Sequence, residues 1–223
     1  MSFKQFRELQ TGEFVLVFAD LSYGGDDNTA VQFLSAKWLD VPIVYHAKTT
    51  GSLMTPLLHD KLTDIHKQTG IAPVVAFENN SGSSFEMDRL DRLNRFGDYR
   101  IYRMKVTSPT GRVVESPRLG WNTNSATRPK MLQELKDAIE GDLIHIYHRQ
   151  TVNELFSFII SDNGKPEAEK NSHDDLVMSL AGVWQLYQTE KPRDEEGGGV
   201  VETTSHRLNK QAGVLYVEED YGY

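Results

Sequence analysis

Two runs of consecutive apolar residues, Phe14-Val15-Leu16-Val17-Phe18-Ala19 and Val74-Val75-Ala76-Phe77, constrain the fold of this chain more than anything else in it. A strand with one wet face alternates apolar and polar residues. An unbroken apolar run of this length reads instead as a strand covered on both faces, which is the arrangement of an α/β sheet. Asp20 closes the first run and Glu78 the second. Aspartate is disfavoured within strands, so Asp20 marks a strand end ahead of Gly24-Gly25-Asp26-Asp27, and Glu78 precedes the turn-forming Asn79-Asn80-Ser81-Gly82. The second acid is thereby expected at the C-terminal edge of a sheet, where open α/β sheets place their ligands.

The chain has 223 residues, of which 39% are hydrophobic, enough for one α/β domain over residues 1–189 followed by an acidic, glycine-containing tail over 190–223. It contains no cysteine, which excludes disulfides, thiolate zinc sites and a cysteine nucleophile. No apolar stretch approaches the roughly 18 residues that span a bilayer, and the first residues lack a signal-peptide core, so the expectation is a soluble intracellular protein. A net charge of −8 and a pI near 5.4 argue against nonspecific nucleic-acid binding as the main activity. Any nucleic acid has to be met by a local basic patch. One is available between Arg89 and Arg118, where Arg103, Lys105 and Arg112 belong to a stretch with more bases than acids. Its bland reading is a solvated face of locally paired charges; its functional reading is a ridge that contacts phosphates.

Apolar patterning predicts strands near 13–20, 30–39, 42–48, 72–78, 99–106 and 143–147. A helix is expected from Leu53 to Thr69, with Leu57, Leu58, Leu62 and Ile65 inward and Gly70 as its stop. A second is expected from Ser84 to Phe96, with Phe85, Leu90 and Leu93 inward. A third starts at Thr127, with a capping hydroxyl and an early Pro129, and ends at Gly141. Between Lys105 and Gly120 the residues Pro109, Gly111 and Pro117 around Val113-Val114 predict a hairpin excursion. The tail after residue 190 is expected to be mobile, with Val214-Leu215-Tyr216-Val217 able to dock as a strand.

A third acidic element end completes the pattern. His173-Asp174-Asp175 opens the run Leu176-Val177-Met178-Ser179-Leu180, read as an amphipathic helix. Ser172 to Asp175 fits a capping box, and an aspartate in the first turn complements the helix dipole, so these acids also have a structural reading. That reading does not explain why three separate element ends carry carboxylates. Clustered carboxylates repel one another, and a hard divalent cation such as Mg2+ or Mn2+ is what neutralises oxygen-rich clusters. A pair of such ions about 3.5–4 Å apart activates water and steadies the departing oxygen in displacement at phosphorus. Asp20, Glu78, Asp174 and Asp175 are therefore the candidate metal ligands and catalytic residues, with His173 as a proton carrier or orienting group beside them. Arg128 and Lys130, near a helix N-terminus, suit a phosphate, although ordinary surface charge is the competing reading.

The strand ending at Asp20 with Gly24-Gly25-Asp26-Asp27-Asn28-Thr29-Ala30, then Phe77-Glu78-Asn79-Asn80-Ser81-Gly82, Gly120-Trp121-Asn122-Thr123 and Arg128-Pro129-Lys130, then His173-Asp174-Asp175-Leu176, resembles the nuclease domain of tailed-phage large terminase subunits. The resemblance spans roughly residues 13 to 188. It implies an RNase H-like fold, a central mixed β-sheet flanked by helices, that cuts concatemeric viral DNA at the start and finish of genome packaging in the host cytoplasm. Carried over by position, Asp20 corresponds to the first metal ligand, Glu78 to the second, and Asp174 or Asp175 to the third; Asp27 resembles a further acid of the first motif. The chain departs from a whole large terminase in having no Gly-x-x-x-x-Gly-Lys-Ser/Thr phosphate loop. The resemblance thus implies a carboxy-terminal domain whose partners are double-stranded DNA, the ATPase motor, the small terminase subunit and the portal.

Two other readings use the same residues differently. A Holliday-junction resolvase or RNA–DNA hybrid nuclease keeps the fold and the acids but changes the substrate. A noncatalytic module that docks on portal or DNA through the 89–118 ridge needs the acids only as caps. For any of the nucleases, the acidic net charge predicts feeble and steeply salt-dependent DNA binding.

Overall fold

The computed structural model describes residues 2–24, 27–78, 83–107, 111–156, 158–160, 166–168 and 174–190. A short β1 (Lys4–Gln5) precedes an antiparallel meander of β2 (Val15–Asp20), β3 (Thr29–Ser35) and β4 (Asp40–Ala47). After α1 (Gly51–Thr69) the chain returns as β5 (Val74–Phe77), parallel to β2. After α2 (Ser83–Leu93) it returns as β6 (Arg100–Ile101), parallel to β5. Then β7 (Arg103–Thr107) and β8 (Val113–Leu119) form a separate antiparallel hairpin, the expected excursion. Next come α3 (Thr127–Glu140), β9 (His145–Ile146), α4 (Arg149–Phe156), the small pair β10 (Phe158–Ile160) and β11 (Pro166–Ala168), and α5 (Asp175–Glu190). The main sheet runs β1-β4-β3-β2-β5-β6, with β9 also joined to β4. It is mixed and flanked by helices, as expected.

Period-two alternation sorts the sheet into two cores. Val15, Val17 and Ala19 of β2, Ile43 and Tyr45 of β4, and Val75 and Phe77 of β5 pack with Met54, Leu58, Leu62 and Ile65 of α1 and Met87 and Leu90 of α2. Leu16 and Phe18 of β2, Val44 of β4, and Val74 and Ala76 of β5 pack with α3 and α5. The alternation carries a direct consequence. Asp20 continues the Leu16-Phe18 side, Glu78 the Val74-Ala76 side and His46 the Val44 side, so all three belong to the face that α5 covers.

α5 is not amphipathic. Every residue from Asp175 to Leu186 is buried, as befits a helix wedged between the sheet and its neighbours rather than lying on a surface. Its approach to β2 is close enough that a Cβ on Gly182 would lie 2.4 Å from the Phe18 ring. The absent side chain lets the helix sit low on the strand that ends in Asp20.

The other helices differ from expectation in detail. In α1, Leu57 is 42% exposed while Met54 takes the inward position, and in α2 Phe85 and Leu93 face outward, leaving Met87 and Leu90 to fill the core. Pro56 lies inside α1 and removes the N–H that would have bonded the Ser52 carbonyl; Arg89 of α2 donates to that carbonyl at 2.7 Å instead. α1 ends as expected at Gly70, in the left-handed region at φ 74°. The cap of α3 is Asn124 rather than the Thr127 hydroxyl: its side-chain oxygen accepts from the N–H groups of Ala126 and Thr127 at 2.9 and 3.0 Å.

At the end of the sheet away from Asp20, the N-terminal segment is fixed by charge. Arg7 donates to both Asp40 oxygens at 2.6 Å and to both Glu13 oxygens at 2.6 and 3.1 Å. The Glu13 side chain is fully buried and Asp40 nearly so. Tyr147 adds a hydroxyl donor to Asp40 at 3.0 Å, and the Gln10 N–H donates to Glu13 at 2.8 Å.

Candidate functional site

Asp20 and Glu78 end neighbouring parallel strands. The register pairs Ala19 with Phe77, and the Glu78 N–H donates to the Ala19 carbonyl at 3.1 Å, which puts the two acids side by side at the sheet edge. On the far side of Glu78, Trp121 joins as an isolated bridge, its N–H donating to the Phe77 carbonyl at 2.9 Å. Gly120, at φ +80°, makes that approach possible, because a Cβ there would lie 2.6 Å from the same carbonyl. The Gly120-Trp121 pair singled out in the sequence thus buttresses Glu78.

The third element is the start of α5. Asp174 is the capping residue by position: its carbonyl accepts from the Met178 N–H at 2.8 Å. Its side chain, however, turns to Arg128 of α3, with Nη2 2.5 Å from Oδ2. Asp175 directs Oδ2 to the backbone N–H of Asn28 at 3.2 Å, with the Asn28 amide at 3.5 Å. Glu154 of α4 does the capping, accepting from the Val177 N–H at 2.9 Å and from Leu176. The Val177 N–H at the start of the helix is thus served from another helix.

The electrostatics record the convergence. The Asp20 carboxyl is pushed well above the usual carboxylate range by burial first, then by the charge of Glu78, a side-chain hydrogen bond shared with Glu78, and the charges of Asp175 and Asp174. Burial also acts to raise Asp175, but His46 and the Asn28 donors outweigh it and hold that carboxyl below its ordinary value. Burial lifts Glu154 to about 7, against the helix N–H bonds and the nearby His46. Four carboxylates from two strands and one helix therefore share one electrostatic neighbourhood. An all-oxygen donor set suits a hard divalent cation, which would relieve the repulsion on Asp20. Among the described residues no three of these groups close to metal-binding distance. Arg128 draws Asp174 one way, and Asn28 draws Asp175 another.

The remaining predicted residues are distributed as follows. Asp27 is exposed, one residue before Asn28. Lys130 is exposed on the first turn of α3 and pairs with Glu134 at 3.5 Å. Of the basic stretch, Arg89 is engaged with Ser52 and Glu86, while Arg100 and Lys105 both pair with Glu190 at the end of α5, Lys105 at 3.3 Å. Part of the ridge is thus structural. Arg103 lies on β7, and Arg112 is exposed just before β8. His173 and Ser172, the turn at 79–82 and the tail beyond 190, including 214–217, lie outside the described residues. Asn28, His46 and Glu154 were missed in the sequence. His46 had a usable signal, since it lies near the end of the apolar run Val41-Pro42-Ile43-Val44-Tyr45, much as Asp20 and Glu78 end theirs.

No family model matches the chain, and no curated protein matches its sequence. Solved structures do match. The large terminase nuclease from thermophilic phage G20c with bound magnesium aligns with a TM-score of 0.57 at 15% identity, over 82% of this chain and 84% of that one. The large terminase nuclease domain of Thermus phage P74-26 aligns at 0.54 and 16% identity, over 83% and 84%. The human cytomegalovirus terminase nuclease domain aligns at 0.56 and 10% identity, over 78% and 83%. Among the described residues, no helix is long and apolar enough to cross a membrane. With an antiparallel meander, two parallel returns and helices on both faces, the chain has the RNase H-like fold of the large terminase nuclease domains.

Proposed function

We propose that this chain is a metal-dependent DNA endonuclease that cuts concatemeric viral DNA during genome packaging. The observation that supports the reading is the proximity of Glu78, Asp174 and Asp175, remote in sequence, to Asp20, whose carboxyl is raised first by burial and then by their charges. Asp20, Glu78 and Asp174 or Asp175 would hold Mg2+ or Mn2+, with two ions in the full site. Bound divalent cations supply an activated water and charge stabilisation for the departing oxygen in phosphodiester hydrolysis. The chain's own contribution is to fix the carboxylates on rigid element ends and to offer cations to the substrate. Arg128, which reaches the acids from the first turn of α3, and Lys130 beside it suit a DNA phosphate; Arg103, Lys105 and Arg112 of the hairpin suit the backbone further along. The partners in the full system would be double-stranded DNA, the ATPase motor, the small terminase subunit and the portal. The likeness to G20c nuclease structures with bound magnesium, cobalt and zinc supports the metal part of the reading.

The test is plasmid cleavage by the full chain with Mn2+ or Mg2+. Nicking or linearisation that stops with chelator and is lost in Asp20→Asn is expected; chelator-resistant cleavage would defeat the proposal. The absence of a closed three-ligand group among the described residues favours a second reading, a noncatalytic docking module. Calorimetric titration with Mn2+ separates the two, since a docking module shows no binding that disappears on Glu78→Ala. Comparing duplex, hybrid and four-way junction substrates separates the packaging nuclease from a resolvase or hybrid nuclease.

A further inference from the structure

The sheet edge that carries the acids carries one more side chain with chemistry to offer. In the pairing of β2 with β3 and of β3 with β4, Ala30 stands opposite both Asp20 and His46. Glu78, Asp20, Ala30 and His46 thus form one row across four strands, and the alternation of β4 turns His46 to the side covered by α5. The His46 side chain is 10% exposed, and its Nε2 is shut away from solvent with no hydrogen-bond partner among the described residues. A buried ring nitrogen without a partner is unfavourable, so its place here calls for a reason. The nearest charged atom it faces is Oδ2 of Asp175, at 3.9 Å, the same oxygen that Asn28 approaches with its backbone N–H and its amide. Glu154 of α4 also interacts electrostatically with His46.

We infer that His46 is a positioning residue for Asp175. With its proton on Nε2 it donates to Oδ2 and, together with Asn28, fixes the carboxyl of Asp175 in one orientation at the start of α5. A small rotation of the Asp175 side chain closes the 3.9 Å gap. Donors behind a metal-ligating carboxylate set its direction before the ion arrives, and losing one costs roughly 10–100-fold in metal affinity. The inference rests on the reading of Asp175 as a metal ligand. It adds that the ligand is aimed by a histidine 129 positions earlier in the chain, by the numbering of His46 and Asp175.

The experiment is calorimetric Mn2+ titration of the full chain, run on wild type, His46→Ala, His46→Gln and Asp20→Asn, alongside plasmid cleavage as a function of Mn2+ concentration. His46→Ala is expected to weaken Mn2+ binding about tenfold or more and to raise the Mn2+ needed for half-maximal cleavage in step, with turnover at saturating Mn2+ falling less. His46→Gln, which returns an N–H at the same reach, is expected to restore most of the affinity. Unchanged Mn2+ affinity in His46→Ala, with binding abolished in Asp20→Asn, overturns the role of His46 and leaves the metal site standing. No Mn2+ binding by wild type overturns both. Should His46→Ala fail to fold, 15N spectra of wild type decide: the His46 Nε2–H signal should lie in the hydrogen-bonded range without metal and stay there with Mg2+, and a signal outside that range overturns the inference.

Discussion

The two ends of β2 bury acids in opposite ways. At the N-terminal ends of β2 and β4, Glu13 and Asp40 close on Arg7, which gives two hydrogen bonds to each. At the C-terminal end of β2, Asp20 meets the charges of Glu78, Asp175 and Asp174, and Arg128 pairs with Asp174. Burial alone raises Glu13, yet the bonds from Arg7, the Gln10 N–H and Ser35 bring it below its ordinary value. Burial raises Asp20 too, and there the neighbours add to the rise. The difference lies in whether the chain supplies its own cation. Where it does, the acids bind elements together; around Asp20, among the described residues, the neighbouring carboxylates add to the effect of burial instead of offsetting it.

The largest effect is expected from Asp20→Asn. Plasmid cleavage with Mn2+ should fall roughly 10³-fold or more, about 4 kcal/mol in barrier, while thermal melting in chelator should be no lower than wild type because a repulsion has been removed. Wild-type cleavage rates on gels would end the argument. Arg7→Met should do the reverse, leaving cleavage per folded molecule intact and costing about 3–4 kcal/mol of stability in urea unfolding, since two buried carboxylates lose their partner. The pH dependence should sharpen the contrast. Glu13 has a lowered folded pKa, so its contribution is present above its ordinary 4.5 and is lost as pH falls through the folded value. Glu154 is the opposite case: its folded pKa of about 7 exceeds the ordinary 4.5, so stability falls as pH rises through that window. Glu154→Gln, which keeps an oxygen for the Val177 N–H, should remove ~2 kcal/mol of that slope, measured by chemical unfolding across the window without metal. The smallest effect is expected from Gly182→Ala, where a methyl facing Phe18 should cost about 1–2 kcal/mol and weaken Mn2+ binding by lifting α5 away from β2.

The centre of the fold was legible because its signals are local. Apolar runs ending in acids gave β2 and β5 their edges; that Asp20 and Glu78 share a face follows from the register of the two strands. The exposed sides of α1 and α2 were not legible. Helical spacing accepts Leu57 and Phe85 as readily as Met54 and Met87, and the choice is made by which ridge meets the sheet. The burial of α5 on all sides depends on α3 and α4 covering it, which no window within α5 contains. The Arg7 cluster joins residues separated by 33 positions, and the Glu154 cap of α5 by 23, so neither leaves a trace in sequence spacing. Within the site, the acids could be found by their setting at strand and helix ends. What could not be read was how each carboxylate is oriented, because Arg128, Asn28 and His46 come from three other elements.

On the proposed reading of Asp174 as a metal ligand, its pairing with Arg128 would make α3 and an incoming ion rivals for one carboxylate. Rivalry of this kind is thermodynamically reciprocal: whatever pulls the guanidinium elsewhere, a phosphodiester above all, lowers the threshold for ion capture by the same factor that ion capture favours the departure of Arg128. On that reading, polyanion and ion would each favour the arrival of the other.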